Sequence, residues 1–414
     1  MEFNFSERLN IITGDNGLGK SFLLDVAWWV LSRTWPAQVN PALAGGRMAH
    51  PLSPGDASIC FTLDGKNKTK ANYNSNYDRK KQAWTGAPGR PLIPGLVLYA
   101  MSDGSFAVWD PARNYWQKEG NIDVQERTSA YVFSPTQIWD GLSVKGESGE
   151  KKVLSQGFLT DVENWKLKDS AAWKLFSEVV KTLSPDGESI SFGESRRIDL
   201  EDSRDIPALK TPAIGSVPVV YASASMKRIL ALAYCLAWAW NEHLEASRQL
   251  DQAPENNIIF LIDEIEAHLH PKWQRTITGA LMSVVKSLNA KAKAQLIIST
   301  HSPLVMASCE DFFDAAKDSW VDIDLENGAA IPRTRRFQKY GPADSWLQSQ
   351  AFDLASTRAP KAAELIQKAY ALLESGCSGK ELDDMEKKLV HTLSPMDDDL
   401  FMWRAMKLKK TGAK

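Results

Sequence analysis

Cysteine is scarce in this 414-residue chain: four residues, at 60, 235, 309 and 377, lie far apart and form no C-x-x-C pair. The expectation is free thiols in a reducing cytoplasm. Charge of one sign is also lacking, because 49 basic residues meet 51 acidic ones for a net charge of −2. Bulk charge therefore argues neither for nor against a nucleic-acid partner, and any basic surface is local. No apolar run is long enough to cross a bilayer, which takes about 20 residues. The longest, ILALAYCLAWAW at 229–240, reads as a buried helix. The opening MEFNFSERLN lacks the charged-then-apolar layout of a secretory leader. The expectation is a cytoplasmic protein with no membrane partner. Heptads are not sustained between the first and second halves, which excludes long coiled-coil arms.

What is present is a composition that can bury a core, 43% hydrophobic and 24% charged. The length suits two or three domains, or one with a large insertion. The most informative stretch is IITGDNGLGKSFLL at 11–24. Gly14, Asp15, Asn16, Gly17, Leu18, Gly19, Lys20 and Ser21 fit GxxxxGK[ST] in full, between an apolar strand and an apolar helix. Glycines let backbone N–H groups turn in around phosphates, Lys20 reaches the β- and γ-phosphates, and the Ser21 hydroxyl ligates Mg²⁺. ATP and Mg²⁺ are the expected ligands.

A second apolar run, NNIIFLIDEIEAHLHP at 256–271, delivers Asp263 and Glu264 to a strand end. Strand 258–262 is expected beside the first strand in a parallel sheet, whose carboxyl edge is where ligands bind. Asp263 then holds Mg²⁺ and Glu264 polarises the attacking water. A third strand, AQLIISTHSPLVM at 294–306, ends in His301, a candidate hydrogen-bond partner of the γ-phosphate. His268, His270 and His301 also suggest zinc, but the magnesium-nucleotide reading already uses the neighbourhood.

Together these motifs resemble the ABC-type AAA ATPase heads of the OLD and SMC-like branch, including ATPase subunits of bacterial anti-phage defence systems of the Septu kind. The resemblance covers about 1–50 and 215–335, and LIDEIEAHLHP with IISTHSP carries it most closely. It implies an α/β P-loop NTPase fold, with nucleotide sandwiched between two heads. It also implies a signature segment, here ASASMKR at 222–228, in which Ser223 touches the opposing γ-phosphate. Ser225 stands where that signature usually has glycine. The family's Mg²⁺-sensing glutamine is placed at Gln137 in YVFSPTQIWDGL.

The expected organisation is an ATPase head split by its insertions. Residues 1–55 carry the phosphate loop, 56–140 a β-subdomain, 141–214 a helical insertion and loop, and 215–340 the signature, acidic pair and His301. Residues 341–414 form a helical appendage. Asp103-Gly104 reads as a hairpin turn, and 160–184 as one amphipathic helix with Trp165, Trp173, Phe176 and Val180 on one side. Asp322-Ile323-Asp324 mimics a nuclease DxD, but it reads better as an edge strand with alternating acids, so no nuclease activity is expected of the chain itself. Residues 64–90 form a basic loop with Tyr73, Tyr77 and Trp84 interleaved, a candidate DNA contact.

Three functions are consistent with these features. The first is an ATPase that dimerises, or forms a higher homo-oligomer, through its heads and controls a separate nuclease or toxin docked on the C-terminal helices. The second is an arm-less SMC-like DNA-repair ATPase acting as a nucleotide-gated clamp. The third is a nucleotide-gated scaffold with little hydrolysis.

Overall fold

The computed structural model describes residues 2–52, 54–64, 70–86, 92–115, 127–145, 149–185, 187, 189–211, 215–289, 291–375 and 379–411. They divide into two compact units, 1–341 and 342–414.

In the larger unit the residues flanking the phosphate loop form β1 (Leu9–Gly14) and α1 (Lys20–Ser32). α1 buries Leu24, Ala27, Trp28 and Trp29, a face too wide for a surface helix. It ends where Arg33 turns left-handed, and one further turn, α2 (Pro36–Val39), starts on proline. An antiparallel meander follows: β2 (Ser58–Asp64), β3 (Lys70–Asp78) and β4 (Ala83–Thr85). Its inner residues Ile59, Phe61 and Trp84 pack on Trp29 and Trp35. β5 (Leu96–Ala100) and β6 (Phe106–Trp109) then pair through a turn containing Asp103 and Gly104, as expected. α3 (Pro111–Asn114), β7 (Tyr131–Phe133), α4 (Pro135–Asp140) and the hairpin of β8 (Leu142–Lys145) with β9 (Lys151–Ser155) lead into the insertion.

Where one helix is expected over 160–184 there are two, α5 (Phe158–Leu167) and α6 (Ala171–Leu183). The break lies at Asp169, with φ at +44°. There Ser170 caps the new helix by accepting from the Trp173 N–H. Trp165 and Trp173 still close on Phe176. A small sheet of β10 (Ser191–Phe192), β11 (Ala208–Thr211) and β12 (Gly215–Pro218) passes through one tight turn into α7 (Ala224–Gln249). The chain continues through β13 (Asn257–Ile262), α8 (Pro271–Gln274), α9 (Ile277–Leu288), β14 (Lys293–Ser299) and α10 (Pro303–Cys309). β15 (Asp318–Glu326) and β16 (Ala329–Arg335) complete the unit.

The central sheet has the order β16-β15-β1-β14-β13-β5-β6-β7. Its five inner strands, β15 to β5, are parallel, and the outer ones are antiparallel. β5 and β13 read as continuous apolar runs because both faces are covered. The core includes Ile12, Trp28, Val97, Tyr99, Leu261 and Ile297. Two expectations are corrected here. β13 is not beside β1, since β14 lies between them. The Asp322–Asp324 strand is not an edge, because β16 covers its outer side. Within the 56–140 β-subdomain expected of the head, β5, β6 and β7 extend the central sheet, and of the described strands only β2, β3 and β4 form a sheet of their own.

The second unit consists of α11 (Ala343–Leu347), α12 (Pro360–Glu374), α13 (Gly379–Thr392) and α14 (Asp398–Thr411). Leu382, Leu389, Leu400 and Trp403 form its core around Ala369, whose carbonyl accepts from the Trp403 indole at 2.9 Å. Asp398 and Asp399 fall in the first turn of α14, where the helix dipole favours carboxylates. Among the described residues, no helix is long and apolar enough to cross a membrane.

Candidate nucleotide site

The phosphate loop leaves β1 at Gly14, which has φ +134°. A Cβ there would lie 2.5 Å from the Ile323 carbonyl oxygen on β15, so only glycine fits. At the far end Gly19 is left-handed, and no side chain caps α1. The first amides of that helix are therefore unclaimed by any capping side chain and suit an anion. Lys20 is buried, and its Nζ donates to the carbonyls of Gly14 and Asp15, both at 2.8 Å. Burial lowers the Lys20 pKa, while Asp263, Glu264, Asp15 and Glu266 act to raise it. Ser21, beside Lys20, is exposed.

Asp263 lies at the end of β13 and is buried. Its Oδ1 accepts from the Ser299 hydroxyl at 2.7 Å, leaving Oδ2 for a cation. The same Ser299 oxygen accepts from the Glu264 N–H at 2.8 Å, and the Ser299 carbonyl accepts from the Ile265 N–H. The insertion of β14 between β1 and β13 makes this possible, because it brings Ser299 directly beside both acids. Glu264 takes φ +48°, a conformation that a non-glycine residue holds only when its surroundings enforce it. His301 follows β14. Burial lowers its pKa and Lys20 lowers it further, against Asp263 and Asp15, which act to raise it.

Two groups here escape sequence reasoning. Glu266 accepts from the Thr300 hydroxyl at 2.7 Å and from the His301 N–H, which fixes the backbone ahead of the imidazole. Burial raises its pKa. The available signal was its place two residues beyond Glu264, in IDEIE. Arg228, visible in the sequence as the end of ASASMKR but not in its contact, is the other: its guanidinium donates to the Met101 carbonyl at 2.7 Å. Burial lowers its pKa, against Asp103, Asp263 and Glu264, which raise it. At the start of α7, Ser223 caps the helix by accepting from the Met226 N–H. Two residues on, the Ser225 hydroxyl donates to the His268 carbonyl at 2.7 Å and accepts from the His270 N–H at 3.0 Å.

Gln137 is not gathered into this cluster. It completes a capping box on α4, where its Oε1 accepts from the Ser134 N–H at 2.9 Å and from Asn40 Nδ2 at 2.6 Å. The oxygen a cation would need is already taken, and β7 lies at the sheet edge, five places from β1. The strand that reaches Asp263 from this side is β5, since the Ala100 carbonyl accepts from the Asp263 N–H at 2.9 Å. The Tyr99 hydroxyl also donates to Asp25 Oδ1 at 2.9 Å.

The basic segment is not a loop over its described part, because β3 and β4 occupy it, while Lys66, Lys68 and Arg90 fall outside the described residues. Its aromatics are engaged in packing. Tyr73 stacks on Phe61 and accepts from the Leu92 N–H, Tyr77 contacts His50 and Trp84, and the Trp84 indole donates to the Ala49 carbonyl. All three are half-buried. No group of three or more potential metal-ligating side chains occurs among the described residues, and His270 caps α8 by accepting from the Lys272 N–H.

Residues 166–306 match the AAA ATPase domain family, a stretch that holds the signature, both acids and His301 but begins after the phosphate loop. The Retron Ec83 probable ATPase of Escherichia coli is 30% identical over 157 residues, 37% of this chain and 25% of that protein. The Septu protein PtuA of Bacillus mycoides is 34% identical over 139 residues, 33% of this chain and 18% of that protein. The Septu protein PtuA of Bacillus thuringiensis is 22% identical over 316 residues, 73% of this chain and 68% of that protein. The matched stretches thus span a quarter or less of the first two relatives. An SMC head solved bound to the C-winged helix domain of ScpA aligns over 81% of this chain and 93% of its own, at 15% identity and a TM-score of 0.39. Residues 166–306 thus resemble an AAA ATPase domain, and stretches of the chain are similar to the Retron Ec83 probable ATPase and to Septu protein PtuA.

Proposed function

We propose that this chain binds ATP with Mg²⁺ at residues 14–21 and hydrolyses it between paired heads, as the ATPase subunit of an anti-phage defence complex. The observation that carries this reading is the convergence of Lys20, Asp263, Glu264 and His301 at the carboxyl edge of parallel strands, beside an uncapped helix N-terminus. The donor set fits a hard cation: Ser21 Oγ and Asp263 Oδ2 would hold Mg²⁺, which neutralises phosphate charge when bound. Lys20 exchanges its two carbonyl partners for phosphate oxygens. Glu264 orients the attacking water and accepts its proton, and neutral His301 donates a hydrogen bond to the terminal phosphate.

The first turn of α7 and the exposed residues His268 and His270 present the faces against which a second copy would close on the nucleotide. Binding confined to the paired state then stabilises that state by linkage. The likeness to the Retron Ec83 probable ATPase and to Septu protein PtuA supports a defence role. On this proposal the chain controls a separate nuclease or toxin effector. Residues 342–414 are the candidate docking unit, where Phe401, Met402 and Met406 of α14 are exposed.

The test is ATP turnover by the purified chain at rising protein concentration, with Glu264→Gln alongside. Specific activity that climbs with concentration and falls at least a hundredfold in the variant supports paired hydrolysis. Bound ATP with no turnover at any concentration would instead support the nucleotide-gated scaffold.

A further inference from the structure

Ser225 occupies the position where the resembling signature has glycine, and its hydroxyl is used on both sides. It donates to the His268 carbonyl at 2.7 Å and accepts from the His270 N–H at 3.0 Å. No aliphatic side chain can do both. The segment it grips begins at Glu264. The start of that segment is held by β14 through the Ser299 hydroxyl and carbonyl. Its middle makes local turns, Ala267 N–H to the Glu264 carbonyl and Leu269 N–H to the Glu266 carbonyl, and is tied to the residues after β14 through the Glu266 side chain, which accepts from the Thr300 hydroxyl and the His301 N–H. Its end is held by Ser225, with Leu269 buried between the two bonded residues. Glu264 and His268 both have positive φ, at +48° and +61°. Such conformations relax unless both ends of the segment are fixed. One turn along α7, Arg228 is tied to the end of β5 through the Met101 carbonyl. α7 is therefore anchored, and Ser225 transfers that anchorage to the loop.

We propose that Ser225 is a positioning residue: it fastens residues 264–270 to the first turn of α7, so that the Glu264 carboxylate is preset for water attack before nucleotide and partner arrive. The inference rests on the hydrolytic reading above. The hydroxyl makes no contact with the phosphate loop, so its loss should act on turnover and not on ATP affinity.

The test compares Ser225→Ala, which removes both bonds, with Ser225→Thr, which keeps the hydroxyl. Two readouts are taken on the full chain: steady-state kinetics, and amide hydrogen exchange of a peptide spanning 266–272. Ser225→Ala should lower kcat about tenfold, the worth of two modest hydrogen bonds, with KM for ATP within about twofold. Exchange at 266–272 should be faster in Ser225→Ala, and Ser225→Thr should recover wild-type values of both. Wild-type exchange in Ser225→Ala overturns the proposal, and so does faster exchange with unchanged kcat. If the wild-type chain turns over no ATP, the hydrolytic reading fails, and exchange alone decides whether Ser225 fastens the loop. Faster exchange in Ser225→Ala that Ser225→Thr reverses would then support it, and unchanged exchange would overturn it.

Discussion

Asp322→Ala probes how the phosphate loop is bolted to the sheet without any nucleotide. Asp322 is buried on β15, and its Oδ1 accepts from the Thr13 hydroxyl at 2.6 Å. Thr13 immediately precedes Gly14 and itself accepts from the Trp320 indole at 2.8 Å. Alanine leaves the Thr13 hydroxyl buried without its acceptor, which costs about 1–3 kcal/mol. Arg335 is not orphaned, because its Nη2 keeps Asp324 at 2.7 Å and loses only a longer contact of 3.3 Å to Asp322. That loss contributes under about 1 kcal/mol. Burial raises the Asp322 pKa, so removing a desolvated charge offsets part of the cost. The net expectation is a loss of about 2 kcal/mol, read as a drop of about 1 M in the urea midpoint at unchanged slope. Asp322→Asn keeps an acceptor for Thr13 and should stay within about 1 kcal/mol of wild type. Equal midpoints for the two variants would refute the argument, since it rests on the acceptor and not on the charge.

A pH dependence follows from Asp25, whose carboxyl burial pushes up to about 7 against the opposing pull of the Tyr99 hydroxyl. The folded state then holds the proton more tightly than the unfolded chain, so this group's contribution is fully present below about pH 4 and is lost as pH rises to about 7. Thermal melts at pH 5, 6, 7 and 8 should show that decline, and Asp25→Asn should flatten it; the same slope in the variant would exclude Asp25 as its source. In the second unit, Trp403→Ala should cost about 3–5 kcal/mol. Limited proteolysis of the full chain should then cut within 342–414 first, and an unchanged digestion pattern would contradict the core described there.

Much of the site was legible in the sequence because its parts are local. The phosphate loop needs contiguous glycines, a lysine and a serine, and Asp263 and Glu264 follow directly from an apolar strand. Strand order is not local. Nothing in NNIIFLI or AQLIIS says which run lies next to β1, and the insertion of β14 is what makes Ser299 a shared partner of both acids. The apolar run of β5 was visible, yet its membership in the central sheet depends on pairing with β13, more than 150 positions later in the chain. Gln137 shows a local claim on a candidate: S-P-T-Q is a capping box, and the glutamine oxygen accepts from Ser134 and Asn40. The break at Asp169 was hidden because apolar spacing continues on both sides of it. Asp322 and Asp324 alternate as expected of a strand, but which neighbour covers that strand is a property of the hairpin with β16.

Lys20 has a consequence for ligand choice. In the structure its ammonium is already satisfied by two backbone oxygens of its own loop. An anion that engages the ammonium must outcompete those oxygens. A neutral nucleoside offers nothing better than a carbonyl, whereas a triphosphate offers charged acceptors to the same ammonium and to the open amides of α1. On the proposed reading the lysine would act as a threshold, favouring a polyanion over a weakly charged molecule.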